Sequence, residues 1–548
     1  MRDYQPPIPD WLWLLAMAVL AAALKFSLVT AGIVPFNADE AIVGLMARHI
    51  LQGERPIFFY GQEYMGSLDT WLVAAGFRVL GHSVWVIRLV QGLLYAGTLL
   101  TTVKIGRFIF GDRRVGLLAG WLLAIPTVNV TLYTTISLGG YGEALLLGNL
   151  ILLVGLKIGK QLKSSRPPDW SLWLLLGFLA GLGYWVLSLT LVTTVPVGIY
   201  LIAALRGHLA RRARQPSRSI WPAALAAVLG GALIGGLPAW TYALNLGGTQ
   251  LIRQLSGGSL AGIEGLPGFA QVGQHFINFV VFGSAVILGL RPPWDFMWLG
   301  PLLVPFIVAF WVAVFARTAR VRGEVAGKPE QLILLSIILT LIIAFILSPF
   351  GADPSGRYFL PLAIPLALFA AELINTLRVR HGNLALMIVP LILFYNLWGT
   401  LEGIQRFPAG ITVRFDVLNT IKGKPIHDLI LFLRQQGETR GYTNYWVAYP
   451  LAFLSGEELI FVPRLPYHAD FSYTSRDDRY APYGELVSSA PQVAYITTNF
   501  PELDATLREG FTALNIEWEE TEIGEFRVFY RLSGRVDPTD LGLGFDNP

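Results

Sequence analysis

The chain has 548 residues, 54% of them hydrophobic and only 14% charged, with a formal net charge of +4. Soluble proteins carry about 25% charged residues, so this shortfall and a mean hydropathy of +0.54 exclude an ordinary soluble protein and predict a polytopic membrane protein. The small net charge makes no case for a nucleic-acid partner, and the absence of cysteine excludes disulfides, thiolate nucleophiles and cysteine-held metals.

A helix needs about 20 largely apolar residues to cross the hydrocarbon. Such runs occupy 11–34, 83–103, 115–134, 143–158, 171–187, 189–206, 220–243, 298–316, 331–349, 358–376 and 384–403, which predicts about eleven spans. The first reads as a retained span and not as a cleaved signal peptide, because its small-residue triplets lie inside the apolar run. Basic residues gather in every second connection, including Lys104 to Arg114, Lys157 to Arg166, "RGHLARRARQPSR", Arg317 to Lys328 and Arg378 with Arg380. The positive-inside bias then predicts a cytoplasmic N-terminus, with loops 35–82, 135–142, 244–297 and 350–357 on the outer face.

After Gly403 the hydropathy falls and stays low. The expected division is a membrane module over 1–403 and an extracytoplasmic α/β domain over 404–548. "ELIFVP", "QVAYITT" and "EFRVFYRL" read as strands, and "HDLILFLRQQ" and "PELDATLREGF" as helices. The stretch holding Tyr442, Tyr445, Trp446 and Tyr449 offers aromatic faces suited to sugar stacking, or simply fills the domain's core.

The first outer loop opens on "PFNADEAIVGLM". Apolar residues at helical spacing predict an amphipathic surface helix. Asn37 stands at the N-cap and Glu40 three residues on, an arrangement like a capping box that gives Glu40 a structural task. Asp39 has no such task. At the helix N-terminus it stays ionised, and there it is a solvated acid, a proton acceptor or a cation ligand. Glu143 closes the second outer loop at the mouth of a span, where an acid needs water, a cavity or a partner. Arg357 and Tyr358 open the tenth span. The arginine fork either binds a phosphate or snorkels to lipid headgroups beside a belt tyrosine. Lys25 is a further charge inside the first span.

Together "DEA" at 39–41, "GHSVWVIRL" at 81–89 and "RYFLP" at 357–361 resemble the membrane-embedded glycosyltransferases of the GT-C superfamily. The likeness is to the bacterial relatives of protein O-mannosyltransferases and of the aminoarabinose transferase of lipid A, across about the first 400 residues. It implies an inverting transfer of sugar from a polyprenyl-phosphate carrier to a glycan, lipid or protein acceptor on the outer face of the membrane. Asp39 would be the catalytic base and Glu143 the second acid, which positions the acceptor or helps Asp39 to hold a divalent metal. Arg357 would hold the carrier phosphate, with Tyr358 and Glu40 near the substrate. Where many relatives have a "PPL"-type segment this chain has "YGQEYMGSLD", so Glu63 and Asp69 add acids with a structural or acceptor-binding role. Glutamate also stands where the second acid is commonly aspartate. Two other readings are a non-catalytic cell-envelope glycan assembly protein and a secondary transporter. A transporter would place its ionisable residues at mid-membrane in repeated halves, whereas these acids cluster at one surface.

Overall fold

The computed structural model describes residues 9–164, 168–212, 220–246, 248–249, 252, 269–324, 329–406 and 425–545. The end of the basic loop at 213–218, part of the third outer loop, and the stretch 407–424 that follows the expected domain boundary lie outside the described residues.

The chain opens with α1 (Asp10–Thr30). The loop after α1 contains α2 (Ala38–Gln52), a small hairpin of β1 (Phe58–Phe59) and β2 (Gln62–Gly66), and α3 (Leu68–Leu80). α4 (Val84–Phe110) returns through the module. The third predicted span is broken: α5 (Arg113–Ala124) stops at Ile125, and a short α6 (Val128–Tyr133) follows. Pro126 drives the residue before it out of the helical region. Then come α7 (Tyr141–Lys163), α8 (Trp170–Val186), α9 (Leu191–Arg212), α10 (Trp221–Gly235) and α11 (Leu237–Leu246). α12 (Phe269–Ile277), α13 (Val304–Glu324), α14 (Pro329–Leu347), α15 (Ala363–His381) and α16 (Ile388–Arg406) complete the module.

Seven described helical segments are long and apolar enough to cross a membrane, or eight if α10 and α11, bent by 71°, count as one. Part of the difference from eleven lies in apolar segments that are short or broken. α8 has 17 residues, α5 and α6 are separate, and Arg357–Arg406 is one helical run interrupted at Gly382, where φ is 75°. Ala270–Ile287 also qualifies, inside a stretch expected to be loop. It packs beside the end of α14, with His275 Nδ1 3.0 Å from the Ile346 carbonyl and Asn278 donating to Gly351 at 2.9 Å. The chain turns at Gly289 and comes back, so that the Gly300 N–H bonds Glu402 at 2.6 Å.

α8 and α10 form the tightest helix pair. Gly177 and Gly181 on one face Gly231 and Gly235 on the other, and a Cβ at any of the four would run into the opposite backbone. Small residues four apart let helices touch where apolar burial offers no drive, because lipid is as apolar as a side chain.

The C-terminal domain runs α17 (Pro425–Gln436), β3 (Arg440–Thr443), α18 (Tyr445–Leu454), β4 (Ile460–Pro463), α19 (Ala481–Ser488), β5 (Ala494–Thr498), α20 (Pro501–Ala513), β6 (Glu519–Ile523) and β7 (Phe526–Tyr530). The strands form one sheet in the order β4-β3-β5-β7-β6, parallel between β4, β3 and β5 and antiparallel beyond. Every strand and helix expected from the tail's patterning is present. β3, β6, α18 and α19 are additional.

α18 lies across α2. Gly44 leaves the space that the Phe453 ring occupies, since a Cβ there would sit 2.5 Å from Phe453 Cε2. Arg48 and His49 meet Glu457 at 2.9 and 2.7 Å, and Tyr483 donates to the same carboxylate at 2.7 Å. Burial pushes the Glu457 carboxyl up, but these three partners outweigh it and hold it at about 2. α2 is therefore sandwiched between the two domains and does not lie on a lipid surface, as its amphipathic pattern suggested.

On its inner side α2 is tied to α4. Arg88 donates from Nε and Nη2 to the two Glu40 oxygens at 3.0 and 2.9 Å, and to the Pro35 carbonyl at 3.3 Å. Glu40 is wholly buried and Arg88 8% exposed. Removing one partner strands the other charge, at a cost of about 3–5 kcal/mol. Glu40→Gln and Arg88→Leu are each expected to lower the thermal midpoint of the purified protein sharply. Replacing both with apolar residues should recover most of the loss, read as thermal unfolding of the three variants side by side.

Candidate active site

The Asn37 side chain caps α2 by accepting the Glu40 N–H at 3.0 Å. The return half of the expected capping box is missing, because the Glu40 carboxylate is spent on Arg88. Glu40 is thus sealed away from substrate. Asp39, the residue before it, sits in the first turn, where the helix dipole favours an anion. It is half-buried and accepts a 2.5 Å hydrogen bond from the Tyr445 hydroxyl at the first turn of α18. Burial, followed by the field of Asp39, pushes the Tyr445 hydroxyl well above the ordinary phenol range, so it remains a donor.

Arg479 of the C-terminal domain stands 5.5 Å over the Tyr445 ring and donates to the Gly61 carbonyl at 3.2 Å. With the Gln62 amide oxygen turned toward it, Arg479 also donates to that oxygen at 2.9 and 3.0 Å. Alternation along β2 places Gln62 and Tyr64 on one face. Glu63 points the other way, to the Tyr242 hydroxyl, and so away from this pocket.

The opposite wall comes from the segment before α15. Gly356 has φ of 99°, and a Cβ there would collide with Asn129. The glycine lets Asn129 bond the Gly356 carbonyl at 3.3 Å and sets the direction of Arg357. Arg357 pairs with Asp353 at 2.6 Å and lies 5.0 Å over the Tyr358 ring, while its Nε has no hydrogen-bond partner among the described residues. The Tyr64 hydroxyl lies in the fields of Arg357, Arg479, Asp39 and Asp353 together, and Tyr133 in those of Arg357, Asp353 and Asp39. Charged residues from the first loop, from the segment before α15 and from the C-terminal domain therefore converge around Tyr64. Next to it a cavity of about 340 Å³ runs between α9 and α14, with Tyr64, Phe350 and Tyr358 at one end and Leu191, Val195 and Leu341 among its apolar walls.

Glu143 and Asp69 form a separate cluster. Both are buried, at 2% and 1% exposure, and their carboxyls face each other. Gln91 donates to Asp69 at 2.9 Å and Ser137 to its other oxygen, while Glu143 has no hydrogen-bond partner besides Asp69 among the described residues. Burial pushes the Asp69 carboxyl up. Two adjacent buried carboxylates cannot both ionise, and a proton shared between them accounts for the contact. Among the described residues no three metal-ligating side chains come together. Asp39 is engaged by Tyr445 and Glu143 by Asp69, so these two acids do not fit a shared divalent-metal site.

Three contributors were not singled out from sequence: Arg479, Asp353 and Asp477. The charged run "SRDDR" at 475–479 was the visible signal for Arg479 and Asp477. Of the tail aromatics, Tyr442 bonds Asp537 and Tyr449 the Asp477 carbonyl, both within the domain; Tyr445 alone of these reaches Asp39.

Residues 68–232 match the family model described as dolichyl-phosphate-mannose-protein mannosyltransferase. The structure is similar to that of ArnT from Cupriavidus metallidurans bound to undecaprenyl phosphate, at 13% identity and a TM-score of 0.55, covering 94% of this chain and 98% of that one. The apo form of the same protein matches with a TM-score of 0.54 at 15% identity, covering 94% and 97%. The Archaeoglobus fulgidus oligosaccharyltransferase, in complex with Zn and sulfate, matches with a TM-score of 0.54 at 14% identity, covering 88% of this chain and 67% of that one. Among curated proteins none matches by sequence. The chain shares the fold of ArnT and of the oligosaccharyltransferase's matching part.

Asp477 supplies a pH test of the pocket. It is 6% exposed, and burial pushes its carboxyl up to about 6, with Asp39 adding to the rise and Arg479 and Tyr467 opposing it. The folded protein holds this proton more tightly than the unfolded chain, whose aspartates titrate near about 3.9. Its contribution to folding stability therefore falls as pH rises from about 4 to about 6 and is flat above. Asp477→Asn is expected to remove that fall, so that the variant gains on the wild type across this window in thermal unfolding at stepped pH.

Proposed function

We propose that the protein is an inverting glycosyltransferase that moves a sugar from a polyprenyl-phosphate carrier to an acceptor hydroxyl on the outer face of the membrane. The observation that supports this reading is that Asp39 and Arg357, from two distant loops, both lie close enough to Tyr64 and Tyr133 for their charges to act on the same hydroxyls. Asp39 would serve as the base and the Arg357 fork as the phosphate-binding group. The apolar cavity beside Tyr358 suits the prenyl chain, and the undecaprenyl phosphate bound to ArnT, a protein of the same fold, supports a donor of that class.

Asp39 takes the proton of the acceptor hydroxyl as its oxygen attacks the anomeric carbon. The new C–O bond forms on the face opposite the leaving phosphate, so the configuration inverts. The bond from the anomeric carbon to the phosphate oxygen breaks, and the electron pair leaves with the carrier phosphate, whose charge Arg357 stabilises. Tyr445 orients the Asp39 carboxylate through one oxygen and leaves the other for the proton. Glu143 and Asp69 support the loop behind the pocket as a protonated pair.

Asp39→Asn is expected to lower transfer by about 10²–10⁴, the usual worth of a general base, with fold and donor binding kept. Transfer at the wild-type rate would remove Asp39 from this role. Arg357→Ala loses charge-assisted bonds worth about 1.5–3 kcal/mol and should weaken donor binding roughly 10- to 100-fold. An unchanged donor affinity would move the phosphate elsewhere. In proteoliposomes holding a radiolabelled polyprenyl-phosphate sugar, label should pass to a new molecule. Label that only crosses the bilayer would favour transport instead.

A further inference from the structure

A second groove lies on the lipid side of the module, between α1 and α4. Its volume is about 390 Å³, and Ala22, Phe26, Trp85, Leu89 and Gly92 are among its walls. It shares no lining residue with the cavity beside Tyr358, which lies between α9 and α14. Lys25 and Arg88 are the charged residues that line it.

Lys25 is 8% exposed and donates to the Thr134 and Thr135 hydroxyls at 2.6 and 3.1 Å, with its ammonium 4.5 Å from the Tyr95 ring centre. All three partners are neutral, and no carboxylate lies within ion-pair distance of it among the described residues. Glu40, the acid of the neighbouring helix, is taken by Nε and Nη2 of Arg88, which leaves Nη1 outside that pair. Arg88 and Glu40 cancel, so a protonated Lys25 is the one uncompensated charge in the groove. A buried ammonium facing lipid is costly unless something anionic approaches it. At the groove mouth Phe26 and Trp85 contact each other with ring centres 5.5 Å apart, and both face the lipid at 61% and 47% exposure. An exposed tryptophan such as Trp85 is the kind of residue enriched at headgroup depth.

We infer that this groove binds an anionic phospholipid of the surrounding leaflet, its acyl chain along α1 and α4 and its phosphodiester against Lys25 and the free edge of Arg88. A zwitterionic lipid brings its own cation to the phosphate and gains less from the site. A single net charge in the groove calls for a single-phosphate monoanion. The inference does not rest on the glycosyltransferase reading, since it concerns a different groove and a different charge.

The test uses the full-length protein in nanodiscs of phosphatidylcholine, with and without phosphatidylglycerol, read by thermal unfolding and by lipid retained in native mass spectrometry. The wild type is expected to retain phosphatidylglycerol in preference to phosphatidylcholine and to unfold at a higher temperature with it. Lys25→Gln should lower that preference about tenfold or more, as expected for one charge-assisted contact. Gly92→Leu keeps Lys25 and fills the groove, because a side chain there meets nothing within 4 Å, and it too should abolish the preference. If Lys25→Gln fails to fold, Gly92→Leu decides. Equal retention of the two lipids by the wild type, or an undiminished preference in Gly92→Leu, overturns the assignment.

Discussion

The buried pair between Glu40 and Arg88 sets the roll of α2, and the rest of the site depends on that roll. Successive residues in an α-helix are about 100° apart. With Glu40 locked inward against α4, Asp39 is turned aside toward Tyr445, and the first turn of α2 points at the pocket. The helix cannot rotate without exposing a carboxylate and a guanidinium to apolar surroundings. The pair adds little net stability to the fold, as buried ion pairs commonly do; its effect is to forbid the alternatives.

The pocket has walls from both domains. The membrane module contributes Asp39, Tyr64 and Arg357, and the C-terminal domain contributes Tyr445, Arg479 and the buried Asp477. The fit of Phe453 against Gly44 and the ion-pair cluster around Glu457 hold the domain where these side chains meet. Loosening that interface would withdraw the hydroxyl from Asp39 and one of the two guanidiniums. The tail is part of the site and not an appendage to it.

Charge placement around the pocket follows one rule: each acid has a partner matched to its burial. Glu40 is deepest and has a bidentate arginine, Asp69 and Glu143 are sealed together, and Asp39 is the half-exposed acid held by one neutral hydroxyl. A carboxylate stabilised by a single hydroxyl keeps its capacity to take a proton. One cancelled by an arginine or paired with a second acid does not.

Composition and periodicity by themselves determined the membrane class and the α/β character of the tail, and they placed a helix start at "NADEA". These follow from short-range rules: apolar run length, alternation and the cap residue at Asn37. They separated Asp39 from Glu40 by the cap at Asn37, but could not show the partner of any acid, because each partner is distant in the chain: Tyr445 for Asp39, Arg88 for Glu40, Tyr242 for Glu63, and Asp69 and Glu143 for one another. Arg479 and Tyr445 entered the site only through domain docking. Hydropathy likewise passed over the break at Pro126, a local proline effect, and the apolar segment Ala270–Ile287, which is placed by packing against α14; seven or eight segments qualify as spans among the described residues. What the tertiary structure decided was which charges are neutralised, for a Coulomb partner is chosen by distance in space and not by position along the chain.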